Sequence, residues 1–460
     1  MFITPSAAEP LVRSIRRVFT RPTFERFLIL MCGVIVTMGR RTVSRALRVM
    51  EPQLQGHWCN YHRLYSQARY SMWELALALV RQVVELLHGD EPIILLVDDT
   101  VQQKAGEKVW AKGAHRDGRR STRGHVSIKF GHKWLVMCIL AMLPGMNRSW
   151  ALPILCGLCR PKKTADRTGQ RPKSASEIAL QLLIRMMRWF PQRRFILIGD
   201  SRAVSHRVAC FAWRHRDRVT LISRLRADAN LYDPPRKKGA KKGRKKPAPR
   251  EQIQGLPKHT ETTAWYGSSR REVTHASGSA LWYCVHDRAV VPIRWVCVLA
   301  DPKRNTEDAY FYSTDPEMPA RRIIELYAMR WNIEVTFEES RALLGLETTR
   351  HRCKQSVLRV TPILLGLFTA VALIWKELSA SAKDDPQPQR WSQTPCYRKR
   401  EMTFSDALYW VRRELWTTSL LQHRSAKRRH SSKRGQGPAD LLSLPASIRS
   451  MILWHLSAAA

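Results

Sequence analysis

Two short, wholly apolar runs constrain the fold more than any other feature of the chain: Ile93-Ile94-Leu95-Leu96-Val97, followed by Asp98-Asp99, and Phe195-Ile196-Leu197-Ile198, followed by Gly199-Asp200. A run of four or five apolar residues with no polar alternation reads as a strand buried on both faces, so its sheet needs a layer on each side. Apolar runs at residues 134–143, 150–155 and 219–223 read as further strands. A helix precedes the fourth strand. Ser174 and Glu177 have capping-box spacing, and Ile178, Leu182, Ile184, Met186 and Trp189 continue the apolar pattern behind them. Three strands, a helix and then further strands make a mixed α/β sheet. An acid at the polar end of a central strand is held in place while its carboxylate emerges where a ligand can approach. Taken singly, Asp99 and Asp200 are equally well the first turn residues after a strand.

The chain is strongly basic, with 78 Lys+Arg against 38 Asp+Glu and a formal net charge of +40 over 460 residues. The excess is spread along the whole length, which points to a broad basic surface and a polyanionic partner. No basic amphipathic helix offers a lipid-facing side, so an acidic membrane is the weaker fit. The apolar stretches at residues 27–38 and 360–375 are shorter than the ~20 residues a bilayer requires and read as buried helices. With no leader-like N-terminus, a cytoplasmic protein is expected. Ten cysteines in a chain this long do not make a disulfide framework. Only Cys156 and Cys159 are closely paired, and with no second pair at ligand spacing they read as packing thiols. Neither a G-x-S-x-G elbow, a Walker loop nor a Rossmann glycine cluster is present, which argues against a hydrolase triad, nucleotide-driven chemistry and redox chemistry.

Residues 1–88 read as a helical N-terminal DNA-binding domain, with a short basic helix at 42–49 and a Ser71/Glu74 capping box opening a helix to residue 88. Its segment 57–70 mixes Trp58, Tyr61, Tyr65 and Tyr70 with Arg63 and Arg69, which suits docking on a nucleic-acid backbone or a helical cap packed on the main domain. Residues 89–225 read as the first part of the main α/β core. Residues 226–316 combine a basic loop with a β-rich insertion, whose strands lie at 281–285, 293–299 and 310–312. The loop's Arg236, Lys237, Lys238, Lys241, Lys242, Arg244, Lys245 and Lys246 repel one another, so the tract is expected to be mobile until phosphates neutralise it. The core resumes over 317–378, and 379–460 read as a C-terminal helical region with a flexible basic linker at 424–434.

A helix over residues 319–344 supplies a third acid. Ile324, Ala328, Trp331, Val335 and Ala342 fall within ~60° of one another at 100° per residue and form its apolar stripe. Tyr327, Arg330, Glu334 and Arg341 make a second stripe about a quarter turn away. Such an edge can place Glu334 on a metal while Tyr327, Arg330 and Arg341 reach phosphates. By itself it reads first as an Arg330 to Glu334 salt bridge on a solvated face.

The pattern Tyr327-x2-Arg330-x3-Glu334-x6-Arg341 resembles the Tyr-Arg-Glu-Lys signature of bacterial insertion-sequence transposases of the DDE type, with Arg341 where that family usually has Lys. Val97-Asp98-Asp99-Thr100 and Ile198-Gly199-Asp200-Ser201-Arg202 are similar to the family's first two acidic motifs, in the same order. The resemblance, over roughly residues 20–350, implies an RNase H-like core with a β-rich insertion before the glutamate helix. It implies Asp99, Asp200 and Glu334 as catalytic residues holding two Mg²⁺ or Mn²⁺ ions, which activate an oxygen nucleophile and neutralise the phosphate during phosphodiester hydrolysis. Asp99 is preferred because Thr100 follows it, as a small or hydroxyl residue usually follows the family's first aspartate. A strand buried on both faces gives no parity rule against Asp98.

Arg116, Arg119, Arg120 and Arg123, within the basic segment 108–125, join Lys237, Lys238, Lys241 and Lys242 as expected contacts to the DNA backbone, a solvated hairpin being the other reading of that segment. Trp265, Trp282 and Trp295 read individually as core residues, and His115, His125 and His132 show no ligand spacing. The expected activity is transposition: binding of terminal inverted repeats, cleavage at each end and strand transfer by a homodimer assembled on double-stranded DNA, with no nucleotide cofactor and no membrane. The rival expectations are a catalytically lapsed DNA-binding derivative and a structure-specific nuclease of similar fold.

Overall fold

The computed structural model describes residues 4–87, 89–117, 120–122, 124–143, 146, 148–236, 242–265, 269–284, 287, 289–304, 306–381 and 401–431; for 52, 303 and 419–431 it describes the backbone alone. The N-terminal region is helical as expected: α1 (Glu9–Arg16), α2 (Arg21–Val36), α3 (Val43–Val49), α4 (Cys59–Ser66) and α5 (Met72–Val84). At α5 the Ser71 hydroxyl accepts from the Glu74 amide at 3.2 Å, one arm of the expected capping box.

The central sheet begins with β1 (Ile93–Gln103), β2 (Gly113–Arg116), β3 (Ile128–Met142) and β4 (Ser149–Cys159). After α6 (Lys162–Thr168) and α7 (Ala175–Trp189) come β5 (Phe195–Gly199), α8 (His206–Arg214) and β6 (Val219–Arg224). Both arms of the box form on α7: the Ser174 hydroxyl accepts from the Glu177 amide at 3.2 Å, and the Ser174 amide donates to Glu177 at 2.8 Å. β7 (Leu231–Tyr232), α9 (Pro249–Gln252), β8 (His259–Ala264), β9 (Arg270–Cys284), β10 (Ala289–Val298) and β11 (Ala309–Ser313) follow.

Among the described residues the strands join one sheet in the order β2-β3-β1-β5-β6-β11-β10-β9-β7, with β4 on β3 and β8 on β9. The strands read from sequence as an insertion therefore prolong the central sheet, because β11 pairs antiparallel with β6. β1, β5 and β6 are the parallel centre, with Val97 opposite Gly199 and Gly199 opposite Ser223. That mixed sheet is the expected α/β architecture.

The chain ends in α10 (Ala320–Ala328), α11 (Trp331–Leu344), α12 (Lys354–Ser381) and α13 (Phe404–Ser431). The single helix expected over 319–344 is thus two. Arg330, Asn332 and Ile333 donate to the carbonyls three residues back, and this tightened turn shifts the helical phase. The predicted apolar stripe fails beyond the break: Trp331 is 42% exposed and Ala342 is exposed, while Ile333, Phe337 and Leu344 are buried. α12 extends well past the apolar stretch read as too short to span a bilayer; by length and composition it could cross one, yet 72% of its most apolar window is buried within the fold. α13 runs to Ser431, so the first part of the basic cluster expected to be a flexible linker is helical.

Candidate active site

Side chains alternate along a strand, so neighbouring residues of β1 must face opposite sides of the sheet. Asp98, Thr100 and Gln102 all point to the α11–α12 side. Arg330 pairs with Asp98, Arg341 donates to Thr100, and Gln102 bonds the Leu346 carbonyl and accepts from Thr361 at 2.9 Å. Asp99 points the other way, where its carboxylate meets Lys133 of β3 at 2.9 Å. The face of β1 that meets Arg330 and Glu334 thus carries Asp98, while Asp99, the residue expected there, lies on the opposite face.

Asp200 belongs with Asp98. Parallel pairing sets Val97 against Gly199, so Asp98 and Asp200 each follow a paired residue, Asp200 in the turn just past β5 and near enough for its charge to act on Asp98. Asp200 Oδ1 accepts from the amides of Arg202 and Ala203 at 3.0 and 2.8 Å, which fixes the carboxylate at the turn leaving β5. Burial pushes the Asp98 carboxyl up to about 7, against the pull of the Arg330 cation and with a further push from the charge of Asp200.

Arg330, at the start of α11, holds the third acid in place by bridging Asp98 and Glu334, with 2.8 Å to the latter. Glu334 lies one turn further along. The three carboxylates do not close to within 4.8 Å of one another among the described residues, and a guanidinium stands between two of them. Hard oxygen donors clustered around a positive charge fit Mg²⁺ or Mn²⁺, on condition that Arg330 gives up its contact with Asp98.

The other expected residues fall in different places. Tyr327 is buried, with its ring 4.4 Å from that of Phe311 and the Arg330 guanidinium 5.8 Å away, so it packs behind Arg330 instead of reaching outward to a phosphate. Arg341 is tied to Thr100 and, at 3.4 Å, to Glu347. Arg116 and Arg120 are exposed, Arg116 on the edge strand β2. Lys242 lies over the rings of Tyr232 and Tyr283 at 4.0 and 3.6 Å. Arg119, Arg123, Lys237, Lys238 and Lys241 lie outside the described residues. The sequence reading missed Lys133 as the partner of Asp99 and Thr100 as the partner of Arg341.

Residues 15–277, more than half of the chain and inclusive of the first two acidic motifs, match the model of the family described as DDE superfamily endonuclease. The chain belongs to that family. The match stops short of Glu334. No curated protein matches the chain. Among solved structures, a piggyBac transposase synaptic complex with hairpin DNA is similar over 97% of this chain and 90% of that one, at 10% identity and a TM-score of 0.41.

Proposed function

We propose that this DDE endonuclease is an insertion-sequence transposase that binds the terminal inverted repeats of its element, cleaves the DNA at each end and joins the freed 3′-hydroxyl to a target. The observation carrying this reading is the Arg330 bridge between Asp98 and Glu334, with Asp200 in the turn just past the residue that pairs with Val97. Asp98, Asp200 and Glu334 would hold two divalent ions, Mg²⁺ or Mn²⁺, which when bound supply Lewis acidity to the phosphate and to the attacking oxygen. Arg330 neutralises the acids until DNA arrives and then has a phosphate to turn to. Arg341, braced by Thr100, stands at the same edge with a second cation. Arg116, Arg120 and Lys242 would lie along the flanking backbone, together with the basic residues around them. Handling two ends at once favours a homodimer assembled on double-stranded DNA, acting in a bacterial cytoplasm.

Incubating the purified protein with Mg²⁺ and labelled duplex carrying the inverted repeats that flank its gene tests the proposal. Nicks at the repeat termini and joined products are expected; binding with neither product would leave only a lapsed DNA-binding protein, and nicks without joining a nuclease.

Two solution properties follow. The Asp98 carboxyl is largely protonated below about 7 and a cation needs its anion, so divalent-ion affinity should fall as pH drops through that value, by up to about tenfold per unit. Titration calorimetry with Mn²⁺ between pH 8 and pH 6 reads this, and a constant affinity would contradict Asp98 as a ligand. Affinity for nonspecific duplex should also fall steeply with salt, log K against log salt having a slope of several units through counterion release. A flat response in fluorescence anisotropy would rule out a broad basic footprint.

A further inference from the structure

On the far side of the Asp200 turn, α8 presents His206 and Cys210 one helical turn apart, with Cys210 Sγ 3.4 Å from His206 Nδ1. The connection between β9 and β10 brings Asp287 Oδ2 to 2.9 Å from the same nitrogen. Cys284, the last residue of β9, completes the group: ligand atoms of His206, Cys284 and Asp287 all lie within 4.8 Å of one another. The other imidazole nitrogen, Nε2, faces the Trp282 carbonyl at 3.4 Å, and the Trp282 indole packs edge-on against the ring at 4.6 Å between centroids. With the Nε2 proton directed to that carbonyl, Nδ1 carries a lone pair aimed at a carboxylate oxygen and a thiol sulfur. A lone pair and a carboxylate oxygen do not attract each other, so in that tautomer a cation would bridge them, whereas in the other Nδ1–H donates to Asp287.

We propose that His206, Cys210, Cys284 and Asp287 form a structural zinc site fastening the β9–β10 hairpin to α8. Tetrahedral zinc with sulfur, nitrogen and oxygen ligands places donor atoms about 3.3–3.8 Å apart; Cys210 Sγ already stands 3.4 Å from His206 Nδ1, Asp287 Oδ2 at 2.9 Å would move slightly outward, and Cys210, outside the 4.8 Å group of the other three, would swing inward to complete the tetrahedron. Thiolates and imidazole favour Zn²⁺ over the hard cations suited to Asp98 and Asp200. A carbonyl on Nε2 is the usual outer partner of a metal-bound histidine. Burial, with the nearby charges of Asp287 and Cys284, pushes the Cys210 thiol up to about 11, an environment that a dication reverses. On binding, each thiol gives its proton to solvent and zinc exchanges water for the four side chains, with no change of oxidation state. The site holds the strand carrying Tyr283, and with it the Lys242 contact, in fixed relation to the Asp200 turn.

The full-length protein, purified without chelator, is expected to contain one zinc per chain. After exchange for Co²⁺ it should show tetrahedral visible bands and a near-ultraviolet thiolate charge-transfer band. That band should halve in Cys210→Ser and in Cys284→Ser, and stay unchanged in Asp98→Asn and in Cys156→Ser. Chelation should raise amide exchange in the hairpin about tenfold without unfolding the sheet. A wild-type cobalt protein with no thiolate band, or a band that neither single substitution weakens, overturns the site.

Discussion

Asp98→Asn should reduce end cleavage by at least about a thousandfold, some 4 kcal/mol in activation free energy, whereas Asp99→Asn should change it less than about tenfold. The two residues are adjacent and similarly buried, yet one carboxylate faces Arg330 and the other pairs with Lys133. Removing the Asp98 charge deletes a candidate ion ligand beside Asp200; removing that of Asp99 deletes an ion pair across the opposite face. Asp200→Asn and Glu334→Gln should match Asp98→Asn while retaining DNA binding. Single-turnover cleavage of labelled end DNA, with binding followed separately, decides the matter. A severe loss in Asp99→Asn beside near-normal cutting by Asp98→Asn would invert the assignment.

Arg330→Ala should weaken the protein in the absence of divalent ions, and added ions should largely restore it. The guanidinium lies between two carboxylates whose side chains are only 14% and 23% exposed, so its loss removes the cation both face, and Asp98, already pushed up to about 7, is driven to take up a proton. Breaking a well-buried pair costs ~3–5 kcal/mol, and this partly solvated one should cost about 2 kcal/mol. The melting temperature in chelator should therefore drop by a few degrees. Mg²⁺ should recover most of that drop, since a bound ion supplies the missing charge and stabilises by mass action. Arg330→Lys should fall between, because one ammonium cannot reach both carboxylates as a planar fork does. A variant whose melting temperature matches wild type with and without Mg²⁺ would show that the bridge has no such role.

Much of this fold was legible in the chain. Apolar runs located the centre of the sheet, and the Ser174/Glu177 pair marked the start of α7, because burial on two faces and capping are local demands. β2 and β8 were missed: the first is four residues of Gly-Ala-His-Arg, and the second, His-Thr-Glu-Thr-Thr-Ala, has little apolar content to betray it. The choice between Asp98 and Asp99 was beyond sequence reasoning for a physical reason. A strand with apolar residues on both sides carries no alternation, so the face of each aspartate becomes visible only through its register with β5 and its contacts with α11. The break at Arg330 was hidden in the same way, since neither proline nor glycine marks it. The His206 cluster escaped notice because its members are near one another only after β9 and β10 fold back onto α8.

The pairing of Val97 with Gly199 also says which parts of the gene can tolerate changes of length. The backbones of two paired strands stand about 4.8 Å apart however long the intervening polypeptide becomes. Loops after β4 can lengthen or shorten over evolutionary time without moving either one. One residue gained or lost inside the run 93–97 would turn Asp98 toward Lys133 and bring its neighbour round in its place.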